Sequence, residues 1–288
     1  MEAMTAMTLE EAEALLGGRD LIAIGARGDD ERRRRHGART TFVRVLEVHV
    51  DAVPASLPPS AAAGEVRVVG RPGSIDAAVD AVTRALTLAR GTPVTAFSLA
   101  DLVALAPGQL PRLFATLHDA GLQAVAEAPV DRLPDAAAII RAAHDAGVKV
   151  PRVTVDAAAN DARDVPVPGV LIQRVADLQR AVGGIRVFAP LPRTSSIAHP
   201  STGYDDVKTI AAARLLLDDV ESIQVDWALY GPKLAQVALT MGADDVDAVS
   251  PLQGDLGRRR SPLEEIRANI TAAGLEAVER DGFFAPRD

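Results

Sequence analysis

Ser222-Ile223-Gln224-Val225-Asp226-Trp227, then the helical pattern Pro232–Met241, then Asp245-Val246-Asp247-Ala248-Val249: this stretch decides the fold. Two short β-branched runs flank a pattern that opens at Gly231-Pro232 and closes at Gly242. Proline suits a first helical turn and glycine ends one. Two strands joined through a helix lie parallel, because a parallel pair needs a crossover. The same unit recurs toward the N-terminus. Strand-like segments are expected at Thr41–Val50, Glu65–Val69, Pro93–Ser98, Gln123–Ala126, Val150–Asp156 and Ile185–Pro190. Helical patterns fall at Ser74–Arg90, Leu110–Ala120, Pro134–Ala146, Val170–Val182 and Tyr204–Leu217. Strands alternating with helices make an α/β protein with a mostly parallel sheet, and eight such strands suggest a TIM-type (β/α) barrel with function at the C-terminal strand ends.

One connection breaks the pattern. Residues 51–64 carry three prolines and a small-residue run, which disfavours a helix where the first crossover belongs. We expect a loop there and a barrel left open or distorted beside it. Before the first strand, residues 1–40 read as a helical lead-in. Thr8-Leu9-Glu10-Glu11 is a capping box, and a second helix spans Asp20 to Gly37, with Glu31–Arg35 as an i,i+4 pair on a solvated face. Ser261-Pro262-Leu263-Glu264 opens a last helix. The chain of 288 residues is expected to form one barrel domain. Aromatics are only 3%, so Ala, Val, Leu and Ile must build the core, and a net charge of −8 argues against a nucleic-acid partner. No signal peptide or membrane span is visible, so a cytoplasmic protein is expected. Zero cysteines excludes disulfides, thiolate nucleophiles and cysteine-bound clusters.

Several motifs carry a resemblance. Pro200-Ser201-Thr202-Gly203-Tyr204-Asp205-Asp206-Val207-Lys208, Tyr230-Gly231-Pro232-Lys233-Leu234-Ala235-Gln236, Gly242-Ala243-Asp244-Asp245-Val246-Asp247 and Val278-Glu279-Arg280-Asp281 occur in that order. Ala96-Phe97-Ser98-Leu99-Ala100-Asp101 and Phe188-Ala189-Pro190-Leu191-Pro192 precede them. Together they resemble the menaquinone-pathway radical S-adenosylmethionine enzymes: aminofutalosine synthase, dehypoxanthine futalosine cyclase and the related deazaflavin (FO) synthase subunit. The resemblance implies a radical-SAM-type barrel whose first strand leads into a three-cysteine loop. Counted forward without gaps from Arg35-His36-Gly37, the ligand positions fall on Pro54, Pro58 and Ala61. None is a thiolate, so the resemblance implies a chain without the 4Fe–4S cluster and without its radical chemistry. The family's glycine turn reads Ala126-Glu127-Ala128-Pro129-Val130-Asp131 here, which implies that S-adenosylmethionine binding is lost as well.

Strand-end placement nominates His49, Ser98, Asp156, Arg193, Thr194, Asp226 and Asp247 as ligand-binding residues, with Asp51, Asp101, Asp131 and Ser250 beside them. His49, Asp226 and Asp247 are the acid–base candidates if any catalysis remains. No metal site is expected: Asp244, Asp245 and Asp247 are close in sequence, but the first reads as a turn cap. Two functions remain open. One is a non-redox binding or accessory protein of the futalosine pathway, partnered by a small molecule or an active pathway enzyme. The other is an enzyme reusing the barrel mouth for hydrolysis or elimination on a nucleoside-like or related polar substrate. A convergent pair, such as His49 with Asp226 or Asp247, would favour the second.

Overall fold

The computed structural model describes residues 9–58, 62–156, 167–194, 202–252 and 262–287. Helices α1 (Leu9–Gly17) and α2 (Leu21–His36) lead into β1 (Arg39–His49). Then follow β2 (Glu65–Val69), α3 (Ile75–Ala89), β3 (Val94–Ser98), α4 (Leu99–Leu105), α5 (Leu110–Asp119) and β4 (Ala124–Pro129). The chain continues through α6 (Ala136–Asp145), β5 (Arg152–Val155), α7 (Pro168–Val182), β6 (Val187–Pro192), α8 (Gly203–Leu216) and β7 (Ser222–Asp226). It ends with α9 (Trp227–Leu239), β8 (Asp245–Val249), α10 (Pro262–Ala272) and β9 (Glu276–Glu279). Every strand pairing is parallel, β1 to β8 in order, and β1 closes the barrel on both β2 and β8. The short β9 adds to the start of β1, Arg39–Phe42 against Glu276–Glu279. The helix caps expected at Thr8 and Ser261, and the third counted ligand position, Ala61, lie outside the described residues.

Among the described residues no helix forms the first crossover. One 3-10 turn, Val50–Ala52, follows β1, with His49 Nδ1 accepting from the Asp51 backbone N–H at 3.3 Å. The barrel is nonetheless closed beside this loop, contrary to expectation: Val45–His49 pair with Glu65–Val69 over five residues. The loop stands in for the helix by packing. Val50 and Val53 are buried, Leu57 packs on the core, and Arg84 of α3 donates to the Val53 carbonyl at 2.5 Å.

The lead-in helix α2 is a solvated face only in part: Arg33 and Arg34 are exposed, whereas Glu31 and Arg32 are buried. Gly25 and Gly28 let it lie directly on Met241 and on Ala211 of α8. Arg32 is fully buried and donates to Asp29 and to the Gly37 carbonyl. The Glu31–Arg35 pair forms at 2.5 Å, and Arg35 Nη1 also donates to the Leu217, Asp218 and Val220 carbonyls at 2.9–3.3 Å. Those carbonyls belong to the cap of α8 and the loop after it. Arg35 therefore fastens the end of α2 to the barrel, while Arg33 and Arg34 stay exposed and pair with Asp29 and Glu31 within the helix.

Strand alternation splits the buried residues into two shells. Outward positions such as Val66, Val68, Val153 and Ile223 meet the helices in one apolar core. Inward positions carry charge: Glu65, Arg67, Arg152, Asp245, Asp247 and Arg280 are all buried. A barrel interior is usually filled by branched apolar side chains; here arginine–carboxylate pairs fill the lower lumen.

Candidate active site at the barrel mouth

The candidate residues separate by depth. Asp247 sits in the lumen, its side chain fully buried, and its Oδ1 and Oδ2 accept from Arg67 at 2.9 and 3.0 Å while Arg152 also donates to Oδ2. Burial opposes its ionisation, but the Arg152 and Arg67 guanidinia outweigh burial and hold its carboxyl far below the usual carboxylate range. Arg67 is shared with Glu65, and Thr95 donates to Glu65 at 2.5 Å. Asp245 below it takes both donors of Arg280 at 2.7 Å, with Gln224 and Thr41 at 2.6 and 2.5 Å. Asp244 takes Arg214 and the Ile223 backbone N–H. All three aspartates of this segment are thus occupied by arginine. Among the described residues no cluster of three metal-ligating side chains occurs.

Above Asp247 lies the mouth proper. Asp226, its register partner on β7, caps α9 by accepting from the Leu229 N–H at 2.9 Å. Arg193, just past β6, reaches Asp226 at 3.4 Å on one side and Glu127 of β4 at 3.0 Å on the other. Thr194 donates to the Asp156 carbonyl at 2.5 Å, and Asp156 pairs with Arg132 at 3.3 Å. The Asp156 N–H donates to Asp131 at 2.9 Å. Tyr230 of α9 donates to the Pro192 carbonyl at 2.5 Å. Burial pushes up the carboxyls of Asp226, Asp156 and Asp101, the first helped by the charge of Asp247. Asp101 feels the charges of Arg71, Glu127 and Arg132, which places it over the same sector.

Of the expected residues, Asp156, Arg193, Thr194 and Asp226 are therefore brought together. Ser98 starts α4 opposite Glu127 in register, without a side-chain cap bond. Ser250 accepts from the Leu252 N–H. His49 stands apart: its ring is more than half exposed, 3.5 Å from Asp51 and against Gly70 at the end of β2. The pairing of His49 with Asp226 or Asp247 that would favour catalysis is not what the fold makes, because β1 runs past the end of β8 and carries His49 with it. Glu127, Arg132 and Tyr230 were missed. So were Arg67 and Arg152, although the arginine between Val66 and Val68 in a buried strand signals an inward charge. Two strand ends beside the site are strained. Phe97, before Ser98, has φ 64°, and Ala248, after Asp247, has φ 56°. Side chains rarely adopt this region, and bulky ones least.

The residues at the counted cluster positions do not fit an iron–sulfur cluster. Pro54 and Pro58 offer no donor atom, and the loop's valines and Leu57 point to packing. Chemically, the mouth offers one guanidinium held between two acids, and three carboxyls that ionise reluctantly.

The closed parallel (β/α) barrel with a polar mouth defines the class, and comparison with solved structures agrees. The FeFe-hydrogenase maturase HydG from Carboxydothermus hydrogenoformans superposes with a TM-score of 0.68 at 12% identity, over 95% of this chain and 76% of that one. Methylornithine synthase superposes with a TM-score of 0.64 at 13% identity, over 95% of both. At such identities only the fold is shared. By sequence, the chain is a cysteine-free homologue of the aminodeoxyfutalosine synthase and FO-synthase-like radical S-adenosylmethionine proteins. It is 32% identical to aminodeoxyfutalosine synthase of Streptomyces coelicolor over 165 residues, half of this chain and 42% of that protein. It is 34% identical to the 5-amino-6-(D-ribitylamino)uracil--L-tyrosine 4-hydroxyphenyl transferase of Archaeoglobus fulgidus over 123 residues, 38% of this chain and 36% of that protein. The match thus spans well under half of either relative. No family model matches the chain. No helix among the described residues is long and apolar enough to cross a membrane.

Proposed function

We propose that this chain is a non-redox binding or accessory protein related to the futalosine pathway of menaquinone biosynthesis, acting without a cluster and without S-adenosylmethionine. The observation that carries this reading is the clamp of Arg67 and Arg152 on Asp247. It commits the lumen to charge pairing, and it removes Asp247 as a base because both arginines stabilise its ionised form. With His49 turned to the β2 side, the convergent pair that would favour catalysis is not assembled. What remains is the sector of Glu127, Asp156, Arg193, Thr194 and Asp226, which suits hydrogen bonding to a polar small molecule. The alternative, acid–base chemistry at the mouth, draws support from one feature: the raised carboxyl of Asp226 beside Arg193.

Calorimetry and thermal melting with futalosine-pathway intermediates, S-adenosylmethionine and purified pathway enzymes test the reading. Binding of an intermediate or an enzyme is expected, and a ligand at 100 times its dissociation constant stabilises by about 2.7 kcal/mol. S-adenosylmethionine should produce no shift, and anaerobic iron–sulfide treatment should leave the protein colourless. Tight S-adenosylmethionine binding or stoichiometric bound iron would overturn the proposal. Turnover of an intermediate, abolished by Asp226→Asn, would establish the alternative instead.

A further inference from the structure

At the opposite, N-terminal face of the barrel lies a cleft of 430 Å³ with no carboxylate in its lining. Its walls are the end of α6, the chain entering β5 and β6, and the turn that follows β9. His144, Lys149 and Arg186 supply its polar side, while Val148, Phe283 and Phe284 supply its apolar side. Such a volume falls in the range of small-molecule pockets, about 300–1,000 Å³. Lys149 is exposed and has no ion pair among the described residues. Arg186 is held by Glu221 through Nε and Nη2 at 2.9 and 2.6 Å, which leaves Nη1 outside that pair. Burial lowers the His144 imidazole below its ordinary value, which favours the neutral ring that can donate or accept. The chain has six phenylalanines. Phe42, Phe97, Phe114 and Phe188 are fully buried, whereas the adjacent Phe283 and Phe284 are only partly covered, here. Phe284 is also held at φ 67°, by a turn in which Asp281 accepts from the Phe283 and Ala285 N–H groups at 2.8 and 2.9 Å. Arg280 and Arg186 lie 4.2 and 5.1 Å from its ring centre. Backbone strain of this kind persists only where its surroundings enforce it, and it gathers at ligand sites.

We propose that this cleft binds a small organic anion with a flat apolar body, its charge on Lys149 and Arg186 and its body against Phe283 and Val148. The site is separate from the mouth and lies at the other end of the barrel. Anilinonaphthalene sulfonate, which has this chemistry, is the probe. We expect one bound probe per chain, read by fluorescence titration, with the His144 ring resonances moving during the titration. Lys149→Glu should weaken binding about tenfold through charge reversal, Phe283→Ala should weaken it several-fold, and both variants should melt like the parent. Lys233→Glu, on the exposed face of α9, should bind the probe as the parent does. Equal binding by the parent and by both cleft variants would overturn the proposal, as would unmoved His144 resonances at saturation.

Discussion

Asp247 is the residue on which the lumen depends. Truncating it leaves two buried guanidinia without their common partner. Breaking a buried pair in this way costs about 3–5 kcal/mol, so Asp247→Ala should lower the denaturant midpoint sharply. Replacing Arg67, Arg152 and Asp247 together by apolar residues of similar volume should recover most of that loss, because the desolvation of three charges disappears with them. If the triple variant were as unstable as Asp247→Ala, the clamp would be contributing more than mutual neutralisation. Depth is what strand periodicity does not reveal. Alternation along Val246-Asp247-Ala248 assigns Asp247 a face, and the resemblance assigns its strand an end, but neither says whether arginines from β2 and β5 cross the lumen to meet it. Asp156, Arg193, Thr194 and Asp226 were legible because strand-end placement alone brings them to one rim.

At the scale of elements, α2 and α8 make the tightest contact between helices. A Cβ added at Gly28 would stand 2.4 Å from the Met241 carbonyl oxygen and 3.2 Å from Ala211 Cα. Both neighbours are backbone atoms, so neither can swing aside. Overpacking of this kind costs about 1–3 kcal/mol, although alanine favours a helix over glycine. Gly28→Ala should therefore lower the melting temperature, against propensity. Substituting Gly37, whose Cβ would meet nothing but whose φ is 61°, separates conformational strain from crowding. Strands β2 and β8 were readable to the residue, because valine-rich runs stand between glycines and charged turns. Helix α4 was not, since it follows β3 with no intervening loop and Ser98 both ends one and starts the other. Strand β9 was hidden because Glu276-Ala277-Val278-Glu279 is half polar and lies at the sheet's outer edge.

Across the molecule, two sets of acids pull the pH dependence in opposite directions. A hydrogen bond from Arg34, opposed by burial and reinforced by Arg35, brings Glu31 from 4.5 down to about 2, and Asp247 is depressed as well. Their contribution is complete above the unfolded carboxylate values and is lost as pH falls through the folded ones. Asp101, Asp156 and Asp226 are raised, so their share is present at low pH and is lost as pH rises through their folded values. The imidazoles of His36 and His144, lowered by burial, work against that share as pH falls from 7 to about 5. The melting temperature should fall below about pH 4 as the Glu31 and Asp247 pairs are lost. Asp226→Asn should gain on the parent at pH 7 relative to pH 5, and a pH-independent difference between the two would contradict the raised carboxyl of Asp226.

The pairing of β1 with β9 joins Arg39–Phe42 to Glu276–Glu279, and the same stretch of β1 also takes β8. The first strand of the barrel is therefore the last to be flanked on its outer side. It must wait through more than two hundred residues of synthesis with that edge bare, and an unpaired edge is a template for other chains. Ring closure over such a separation is slow, because the entropy of a long loop is spent before its contacts form. Val50, Val53 and Leu57 fill the gap after β1, and Arg84 of α3 ties the Val53 carbonyl to the next helix. The stretch left bare during growth, Arg39-Thr40-Thr41-Phe42-Val43-Arg44, carries only two apolar residues, Phe42 and Val43, bracketed by hydroxyl and charged side chains.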